Sequence, residues 1–581
     1  METTLVLIVG VISIVAVAAF SKRLGLAAPL SLVVVGIALS FVPGVPVLAI
    51  QPEWVLAGVL PPLLYSAAVN MPASDFRRNL GAITGLAVLL VAVTTLGAGW
   101  LFHWLMPGLG WPAAFALGAV VSPTDAVAAT SMGKQLGLPS RLLTMLEGEG
   151  LVNDASALVL LRSAIAAMAG TVSLAGVAGN FLFSVAVAGA VGLGVGLVNV
   201  RVRAMLRDSL LNTAISFVVP FVAFLPAEEF HASGVLAVVV AGLVTGHQSP
   251  RFLSAQDRLT EAMNWRTLAF LLESAIFLLM GLGLKSLLDA VAADGLSAMR
   301  ALLIGLAAAA LVIVARMVFV APLIAFVRKD ARRAAEKKPR LDWLMDRLGA
   351  PEAEERSRGR GPLTPRRVQQ MKDRVTRASA DADFKVNESL GWRSGVALAW
   401  AGMRGAITVA AAQTLPEDTP YRPQLLLIAF VVATGTLLLQ GLTLPAVIRT
   451  VKVPGDDPER LRDEQRRLLD EVSAAGRAVL EDPGLARADG SPYAPAVVAK
   501  VREDARLDRA GTAPARAGER EREREQYVDL RLGVIAAARD AVLAARSTGV
   551  YGSQTINRTQ HALDLDEARL QRLGDSGGAG H

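Results

Sequence analysis

Residues 147–160 read EGEGLVNDASALVL, with acids at 147, 149 and 154, although the neighbouring segments are built almost entirely from Leu, Val, Ala, Gly and Ile. The chain has 581 residues, and 53% of them are hydrophobic. This length and composition are typical of a membrane protein and not of a string of soluble domains. An ionisable residue in a membrane-spanning helix is costly unless it is paired or hydrated. The acids of this stretch are therefore candidate functional residues.

Thirteen apolar segments are each long enough to cross about 30 Å of hydrocarbon as an α-helix. Pro220 and Pro226 make the boundary of the eighth segment the hardest to place, because proline interrupts helical hydrogen bonding. The sequence predicts an all-α membrane protein with about thirteen transmembrane helices. The segments lie at 2–20, 25–43, 53–71, 80–106, 112–132, 143–168, 172–200, 209–227, 231–247, 266–292, 299–325, 394–415 and 423–449.

The distribution of Lys and Arg predicts the orientation of these segments. Loops after segments 1, 3, 5, 7 and 9 hold twelve such residues, whereas loops after even-numbered segments hold three. Because cytoplasmic loops are the more basic ones, we predict a multi-pass protein of the cell (inner) membrane with its N-terminus outside and its C-terminus in the cytoplasm. The twelve are Lys22, Arg23, Arg77, Arg78, Lys134, Arg141, Arg201, Arg203, Arg207, Arg251, Arg258 and Arg266, and the three are Lys285, Arg300 and Arg422.

Two domains are predicted from the change in composition along the chain. Residues 1–450 form the transmembrane domain, with a basic cytoplasmic loop at 328–393 between segments 11 and 12. Residues 451–581 are charged, Ala-rich and helical in pattern, with breaks at Pro483-Gly484 and around 510–518, which predicts a cytoplasmic helical domain.

Charge, cysteine and histidine content exclude several classes of function. The net charge of +7 is concentrated in cytoplasmic loops and the tail, where anionic lipid accounts for it better than nucleic acid does. The chain has no cysteine, which excludes disulfides and thiolate metal sites. The five histidines show no ligand spacing. We therefore expect no cofactor and no nucleic-acid partner.

Ionisable residues recur in several other predicted helices, and each is a predicted buried charge with a functional role. They are Asp125 in segment 5, Arg162 in segment 6, Glu273 in segment 10, Arg316 in segment 11 and Arg404 in segment 12.

Helical geometry separates the acids of segment 6. Glu149 and Asp154 are five residues apart, so they lie about 140° apart around the helix axis and cannot serve one ligand equally. Glu149 and Asn153 are four residues apart and share a face. We expect one acid to form a structural ion pair and the other to bind a transported ion, while Glu147 is solvated near the cytoplasmic start.

Segments 5 and 12 each contain a helix breaker at mid-membrane. Pro123 lies in Ser122–Asp125, and Gly402 and Gly405 flank Arg404. Paired interruptions in two halves of a chain indicate a transporter with inverted repeats and a site between the broken helices. Asp125 and Arg404 have the charges needed to offset helix N-termini and C-termini respectively.

Three motifs in this order closely resemble the bacterial sodium/proton antiporters of the first branch of the monovalent cation:proton antiporter superfamily. They are SPTDAVAA at 122–129, EGEGLVNDASALVL at 147–160 and MRGAITVAAA at 403–412. The resemblance covers about residues 1–450, and LDLDEARL at 563–570 is similar to one subgroup of these proteins. It implies thirteen helices in two inverted six-helix repeats, broken helices that cross, a homodimer, and exchange of Na+, with Li+ as a further candidate, for protons across the bilayer.

The resemblance also implies roles for individual residues. Asp154 would be the carboxylate that binds cation and proton, with Asn153 beside it, and Thr124 would contribute a backbone oxygen, so Asp154 and Thr124 are the predicted metal-ion ligands. Glu149 would pair with Arg404. Asp125 matches the family's acid at the helix break, and Glu273 resembles an acid of segment 10 in eukaryotic exchangers.

Two positions depart from the family's pattern. Ser66 stands where many relatives carry an acid, and Gly150 stands where some carry a serine. The second oxygen of the ion's coordination shell would then come from Ser66, Ser156 or water.

Carboxylate, hydroxyl and carbonyl oxygens suit a hard monovalent cation. A K+/H+ antiporter with the same mechanism is the principal alternative. An intramembrane aspartyl protease using Asp125 and Asp154 would need two carboxyls sharing a proton, and the chain lacks the Gly-x-Gly-Asp pattern of such proteases. A passive cation channel would carry current under voltage.

Overall fold

A computed structural model describes residues 2–24, 27–43, 51–170, 173–206, 208–349, 365–504 and 519–578. Within these ranges the regular secondary structure is helical, as predicted. Arg207 and the break predicted at 510–518 lie outside the described residues. The contacts divide the chain into a first unit of Met1–Ser249, Ala262–Lys329 and Leu390–Gly455 and a second unit of Pro250–Glu261, Asp330–Ser389 and Asp456–His581. The domain boundary near residue 450 stays a prediction.

Apolar helices dominate the first half of the chain, and two π-helical turns, Trp54–Val59 and Gly85–Leu90, precede the third and fifth of them. The α-helices are α1 (Glu2–Leu24), α2 (Ala28–Ser40), α3 (Leu60–Asn70), α4 (Ala73–Thr84), α5 (Val91–Leu105), α6 (Trp111–Val121), α7 (Ala126–Gln135), α8 (Ser140–Ala169), α9 (Leu174–Ala204), α10 (Ser209–Glu229) and α11 (Gly234–Phe252).

The second half begins with apolar helices and ends with charged ones. Its helices are α12 (Ala255–Leu282), α13 (Leu284–Ala293), α14 (Ala298–Gly349), α15 (Pro365–Asn387), α16 (Trp392–Trp400), α17 (Ala406–Gln413), α18 (Arg422–Val451), α19 (Pro458–Leu480), α20 (Pro495–Asp504), α21 (Glu519–Thr548) and α22 (Ser553–Gly578).

Among the described residues, eight helical stretches are long and apolar enough to cross a membrane, and three shorter apolar helices accompany them. The remaining two predicted segments correspond to α11 and to the pair α16 and α17. Pro220 and Pro226 both lie inside the single helix α10, so the eighth predicted segment is one helix that ends at Glu229. The protein is thus an all-α membrane protein; the exact number of crossings stays a prediction.

Close packing of small residues fixes the helix that leads into the first break. A Cβ on Gly118 of α6 would lie 2.4 Å from the backbone oxygen of Thr95 on α5, so only glycine permits this approach. One turn further on, the Thr94 hydroxyl donates to Ser122 Oγ at 2.8 Å. The end of α6 is therefore held firmly against α5.

The second unit contains the charged helices α15 and α19 to α22. Leu468 and Val472 of α19 pack with Val542 of α21 and Leu563 of α22 in a small apolar core. Lys385 of α15 forms a 2.8 Å ion pair with Asp330. The basic segment 328–393 is thus largely helical in its described part, since α14 runs on to Gly349 and α15 covers Pro365–Asn387.

The acids of LDLDEARL bind arginines within this unit. Asp564 accepts from both Nε, at 3.0 Å, and Nη2 of Arg258, and Arg531 Nη2 lies 2.9 Å from Asp566 Oδ2. Glu567 pairs with Arg539. Arg258 belongs to the first turn of α12, so α22 is tied to the chain segment that follows α11.

Replacing Asp564 with alanine should loosen this attachment. The side chains of Arg258 and Asp564 are only 10% and 7% exposed, and removing one partner of a buried pair costs about 3–5 kcal/mol. We expect faster amide hydrogen exchange in residues 250–261. The matched control is Asp463→Ala, because Asp463 and Arg466 form a 3.7 Å pair with side chains 69% and 77% exposed. Equal exchange in the two variants would show that Asp564 does not hold the segment.

Candidate functional site

Two interrupted helices meet in the first unit. The helix α6 ends at Val121 and α7 begins at Ala126, while α16 ends at Trp400 and α17 begins at Ala406. The Asp125 backbone N–H donates to the Met403 carbonyl at 2.7 Å, which joins the two non-helical segments directly. The interruptions predicted from Pro123 and the two glycines are confirmed, and they lie against each other.

Asp125 lies at the N-terminus of the half-helix α7. Its Oδ1 accepts from the Val127 N–H at 2.8 Å, which caps the helix. A Cβ on Gly405 would lie 2.2 Å from Asp125 Oδ2, so a glycine is required where the carboxylate passes the start of α17. The negative charge of Asp125 therefore faces the positive ends of two half-helices, as predicted.

Arg404 serves the opposite helix ends. Its Nε donates to the carbonyl of Val121 at 3.3 Å, and Nη1 donates to the carbonyl of Gly402. The backbone N–H of Arg404 donates to Thr436 Oγ1 at 3.1 Å. Since Val121 is the last residue of α6, the fully buried guanidinium offsets the negative end of that half-helix.

The predicted ion pair between Glu149 and Arg404 is wrong in this structure. Glu149 pairs instead with Arg316 of α14, through Nη1 to Oε1 and Nη2 to Oε2 at 2.7 Å. Arg316 also donates to the Leu398 carbonyl from Nε at 3.2 Å and Nη2 at 3.1 Å. The physical reason is that the Arg404 guanidinium is occupied by helix-end carbonyls, whereas Arg316 presents both Nη atoms to the Glu149 carboxylate.

A hydrogen-bonded chain runs from this ion pair to the Asn-Asp motif. Thr124 Oγ1 donates to Glu149 Oε1 at 2.7 Å. Asn153 Nδ2 donates to both the backbone oxygen and Oγ1 of Thr124, each at 2.9 Å. Glu149 and Asn153 therefore share a helix face, as predicted. Asn153 Oδ1 is buried and has no hydrogen-bond partner among the described residues.

Asp154 is buried, with 5% of its surface exposed. Among the described residues no hydrogen bond satisfies its carboxylate, in contrast to Glu149. Asp125 lies close enough to both Asp154 and Glu273 for the carboxylate charges to repel one another. The helices and helix breaks of this region thus carry four carboxyl groups, at 125, 149, 154 and 273, and two guanidinium groups, at 316 and 404. This imbalance leaves the region short of positive charge when all four acids are ionised.

The two candidate serines lie near these elements but are not joined to Asp154. Ser156 Oγ donates back to the Val152 carbonyl at 3.3 Å. Ser66 is buried on α3, which packs against α8. In the described part of the chain, neither hydroxyl hydrogen-bonds to the Asp154 carboxylate. At Gly150, a Cβ would lie 2.9 Å from the Cβ of Ala126, so α7 crosses α8 very closely there.

The other predicted buried charges have different surroundings. Arg316 is fully buried, as predicted. Arg162 was predicted to be buried and is not: its side chain is 50% exposed and forms a 2.7 Å ion pair with Glu228 near the end of α10. The reason is its position, two turns beyond Asp154 towards the end of α8. Glu273 is partly buried on α12.

Two residues that support the helix breaks were not predicted from the sequence. Thr436 holds the backbone of Arg404, and Thr94 holds Ser122 at the first break. Isolated threonines in apolar segments carry no pattern that would single them out. The identity of Arg316 as the partner of Glu149 was missed for a similar reason, since 167 residues separate the two.

Comparison with known proteins identifies the family of this chain. The family model described as "Sodium/hydrogen exchanger, transmembrane" matches residues 10–450. An uncharacterized Na+/H+ exchanger of Mycobacterium tuberculosis is 28% identical over 579 residues, which cover 97% of this chain and 96% of the relative. The low-affinity Na+/H+ antiporter NhaS1 of Synechocystis is 29% identical over 460 residues, or 78% of this chain and 74% of that protein.

Two further matches are a relative named for several ions and a solved structure that confirms the fold. A protein named sodium, potassium, lithium and rubidium/H+ antiporter, from Bacillus pumilus, is 33% identical over 262 residues, or 44% of this chain and 39% of that protein. The solved structure of the sodium proton antiporter MjNhaP1 from Methanocaldococcus jannaschii matches 78% of this chain and 98% of that chain with a TM-score of 0.51 at 16% identity. Exchangers of this kind are transporters and not enzymes, and they use no cofactor. The chain is a multi-pass membrane protein that belongs to the sodium/hydrogen exchanger family, within the monovalent cation:proton antiporter superfamily.

Proposed function

We propose that the chain exchanges Na+, and also Li+, for protons by alternating access, with Asp154 as the one carboxylate that both ions share. The observation that carries this proposal is the contrast within α8. The Glu149 carboxylate is neutralised by Arg316, whereas the buried Asp154 carboxylate has no such partner in the described part of the chain. A buried carboxylate that lacks a fixed positive partner favours binding of a cation or a proton from solution.

We assign further oxygen atoms to the cation besides the Asp154 carboxylate. The Thr124 backbone oxygen accepts one hydrogen bond and retains a second lone pair. The Asn153 side-chain oxygen is buried and unsatisfied. Together with the Asp154 carboxylate these atoms form a hard, oxygen-only ligand set suited to Na+ or Li+. Asp125, Ser66, Ser156 and water are further candidate oxygen donors.

The exchange follows from charge balance. The Asp154 carboxylate is neutralised when it carries either one cation or one proton, and the loaded site can then move past the hydrocarbon. The empty site is charged, so its movement is opposed by desolvation, which suppresses leak. Glu149, Thr124 and Asn153 keep the broken helix and α8 in register while the occupant changes.

A K+/H+ antiporter with the same mechanism is the second candidate. It is favoured by the similarity to the Bacillus protein whose name includes sodium, potassium, lithium and rubidium. No residue of the ligand set discriminates among these ions by its chemistry, since all supply oxygen.

Reconstituted vesicles distinguish these functions. The protein is placed in vesicles with an acidic interior and a pH-sensitive dye, and Na+, Li+ or K+ is added separately. Dequenching by Na+ and Li+ supports the proposal, and dequenching by K+ alone supports the second candidate. A cation current under voltage without coupled proton movement would indicate a channel and contradict both.

The membrane setting completes the proposal. We place the N-terminus outside and the C-terminus in the cytoplasm of the cell membrane, because the basic loops follow odd-numbered segments. Homodimerisation is proposed from the family resemblance. An exchanger of this type in the inner membrane would serve pH homeostasis, since it converts a cation gradient into proton movement.

A further inference from the structure

A cavity of about 150 Å³ lies along α8 beyond the proposed ion site. Leu158, Leu161 and Ile165 line it, and they follow Asp154 at spacings of four, three and four residues. Residues at these spacings share one face of an α-helix. The cavity therefore continues the Asp154 face of α8 away from the basic end of the helix, where Arg141 lies.

The opposite wall of the cavity comes from other helices. Leu56 lies in the π-helical turn before α3, Phe224 is on α10, and Val235 is on α11. Val235 and Phe224 also pack in the same apolar cluster as Leu151 and Ala155 of α8. The cavity thus separates the helix that carries Asp154 from α10 and α11.

One ion pair spans this boundary beside the cavity. Arg162 Nη2 of α8 lies 2.7 Å from Glu228 Oε2 of α10. The other carboxylate oxygen, Glu228 Oε1, accepts from the Gly234 N–H at the start of α11 at 2.9 Å. Arg162 and Glu228 both line the cavity, and their side chains are 50% and 25% exposed, so the pair lies where the cavity approaches the protein surface.

We propose that this cavity is the closed outer half of the ion path and that Arg162 and Glu228 form its outer gate. The inference rests on the proposed function, since it assigns the route by which ions reach Asp154 from outside. While the two residues are paired, their charges cancel and the apolar lining excludes a hydrated cation. When α8 moves away from α10, the pair separates and the Glu228 carboxylate is left at the mouth, where it attracts a cation.

A partly exposed ion pair suits this role because it is weak and can break in every transport cycle. The Glu149 and Arg316 pair is unsuited to it, since it is fully buried and hydrogen-bonded on both sides.

The natural absence of cysteine makes the gate directly testable. Leu158→Cys introduces a single thiol into the cavity wall, and its reaction with a membrane-impermeant thiol reagent added outside intact cells reports whether the cavity is open. In a background of Arg162→Gln or Glu228→Gln we expect labelling to be about two- to fivefold faster. Loss of a partly exposed ion pair increases the population of the open state by about this factor, and only the open state reacts. The charge swap Arg162→Glu with Glu228→Arg should restore slow labelling.

The matched control breaks a similar pair at the other end of α8. Lys134 and Glu147 lie 2.7 Å apart with side chains 62% and 31% exposed, so Lys134→Gln should leave external labelling of the cysteine unchanged. Equal labelling rates in the parent, Arg162→Gln and Glu228→Gln would overturn the gate. Na+/H+ exchange by the Leu158→Cys parent is measured separately in vesicles. Labelling that follows the ion pair without any exchange would reject the proposed function and retain the gate as a conformational contact.

Discussion

Replacing Asp154 with asparagine is expected to abolish cation/proton exchange while the protein stays folded. Asparagine is nearly isosteric but can neither lose a proton nor balance a cation. The structural ion pair between Glu149 and Arg316 is untouched by the change. Exchange in vesicles should fall to the level of empty liposomes for Na+, Li+ and K+ alike.

Stabilisation by the ion provides a second readout of the same variant. A ligand that binds only the folded state stabilises it by an amount that grows with the logarithm of the ligand concentration once that exceeds the Kd, and so it raises the melting temperature. Added Na+ should therefore raise the melting temperature of the parent and leave that of Asp154→Asn unchanged. The control is Asp289→Asn, an exposed acid on α13, which should keep both exchange and the Na+ effect. Exchange that survives in Asp154→Asn would reject Asp154 as the shared carboxylate.

Breaking the ion pair between Glu149 and Arg316 is expected to have the largest effect on stability. Both side chains are almost completely buried, at 2% and 0% exposure, so removing either leaves an uncompensated charge at a cost of about 3–5 kcal/mol. Arg316→Gln and Glu149→Gln should each sharply reduce the amount of folded protein in detergent. The double variant should recover part of that loss, because it leaves neither charge unpaired.

A second double-mutant cycle, with Arg404 in place of Arg316, tests which arginine is the partner of Glu149. Arg404→Gln removes the donors to the Val121 and Gly402 carbonyls, and this loss does not depend on Glu149. The coupling energy between Glu149→Gln and Arg404→Gln should therefore be smaller than that between Glu149→Gln and Arg316→Gln. Stronger coupling to Arg404 than to Arg316 in melting experiments would contradict the observed pairing.

The helix breaks and their charges could be predicted from the sequence because their causes are local. Pro123 lacks a backbone donor, and the glycines around Arg404 weaken the helix. The shared face of Glu149 and Asn153 follows from the 3.6-residue period alone. These features depend on residues a few positions apart, and the structure confirms them.

Features that depend on distant residues could not be predicted in the same way. From the sequence, Arg316 and Arg404 are both buried cations that could pair with Glu149. The packing of the helices determines that Arg404 donates to helix-end carbonyls instead. Arg162 was assigned to the interior because it lies within predicted segment 6, at 143–168, and its pairing with the distant Glu228 could not be read from the sequence. Hydropathy indicates where a segment leaves the membrane but not where its helix ends. The helix α14 continues to Gly349 because the residues beyond the apolar segment favour helix.

Competition between the two ions at Asp154 requires that the apparent cation affinity fall about tenfold per pH unit once the pH lies below the apparent pKa of the site. One cation then replaces one proton, and no net charge crosses the membrane in a cycle. Asp125 and Glu273 are the acids that could add a second titrating group, because both carboxylates lie within electrostatic reach of one another near the site.

The most direct test of the shared carboxylate is Na+-driven proton flux measured in proteoliposomes whose membrane potential is clamped with potassium and valinomycin. The account predicts equal flux at zero potential and at a negative inside potential, since each cycle exchanges one charge for one charge. A flux that rises steadily with the imposed potential would contradict it and indicate that a second carboxylate, Asp125 or Glu273, moves charge together with Asp154.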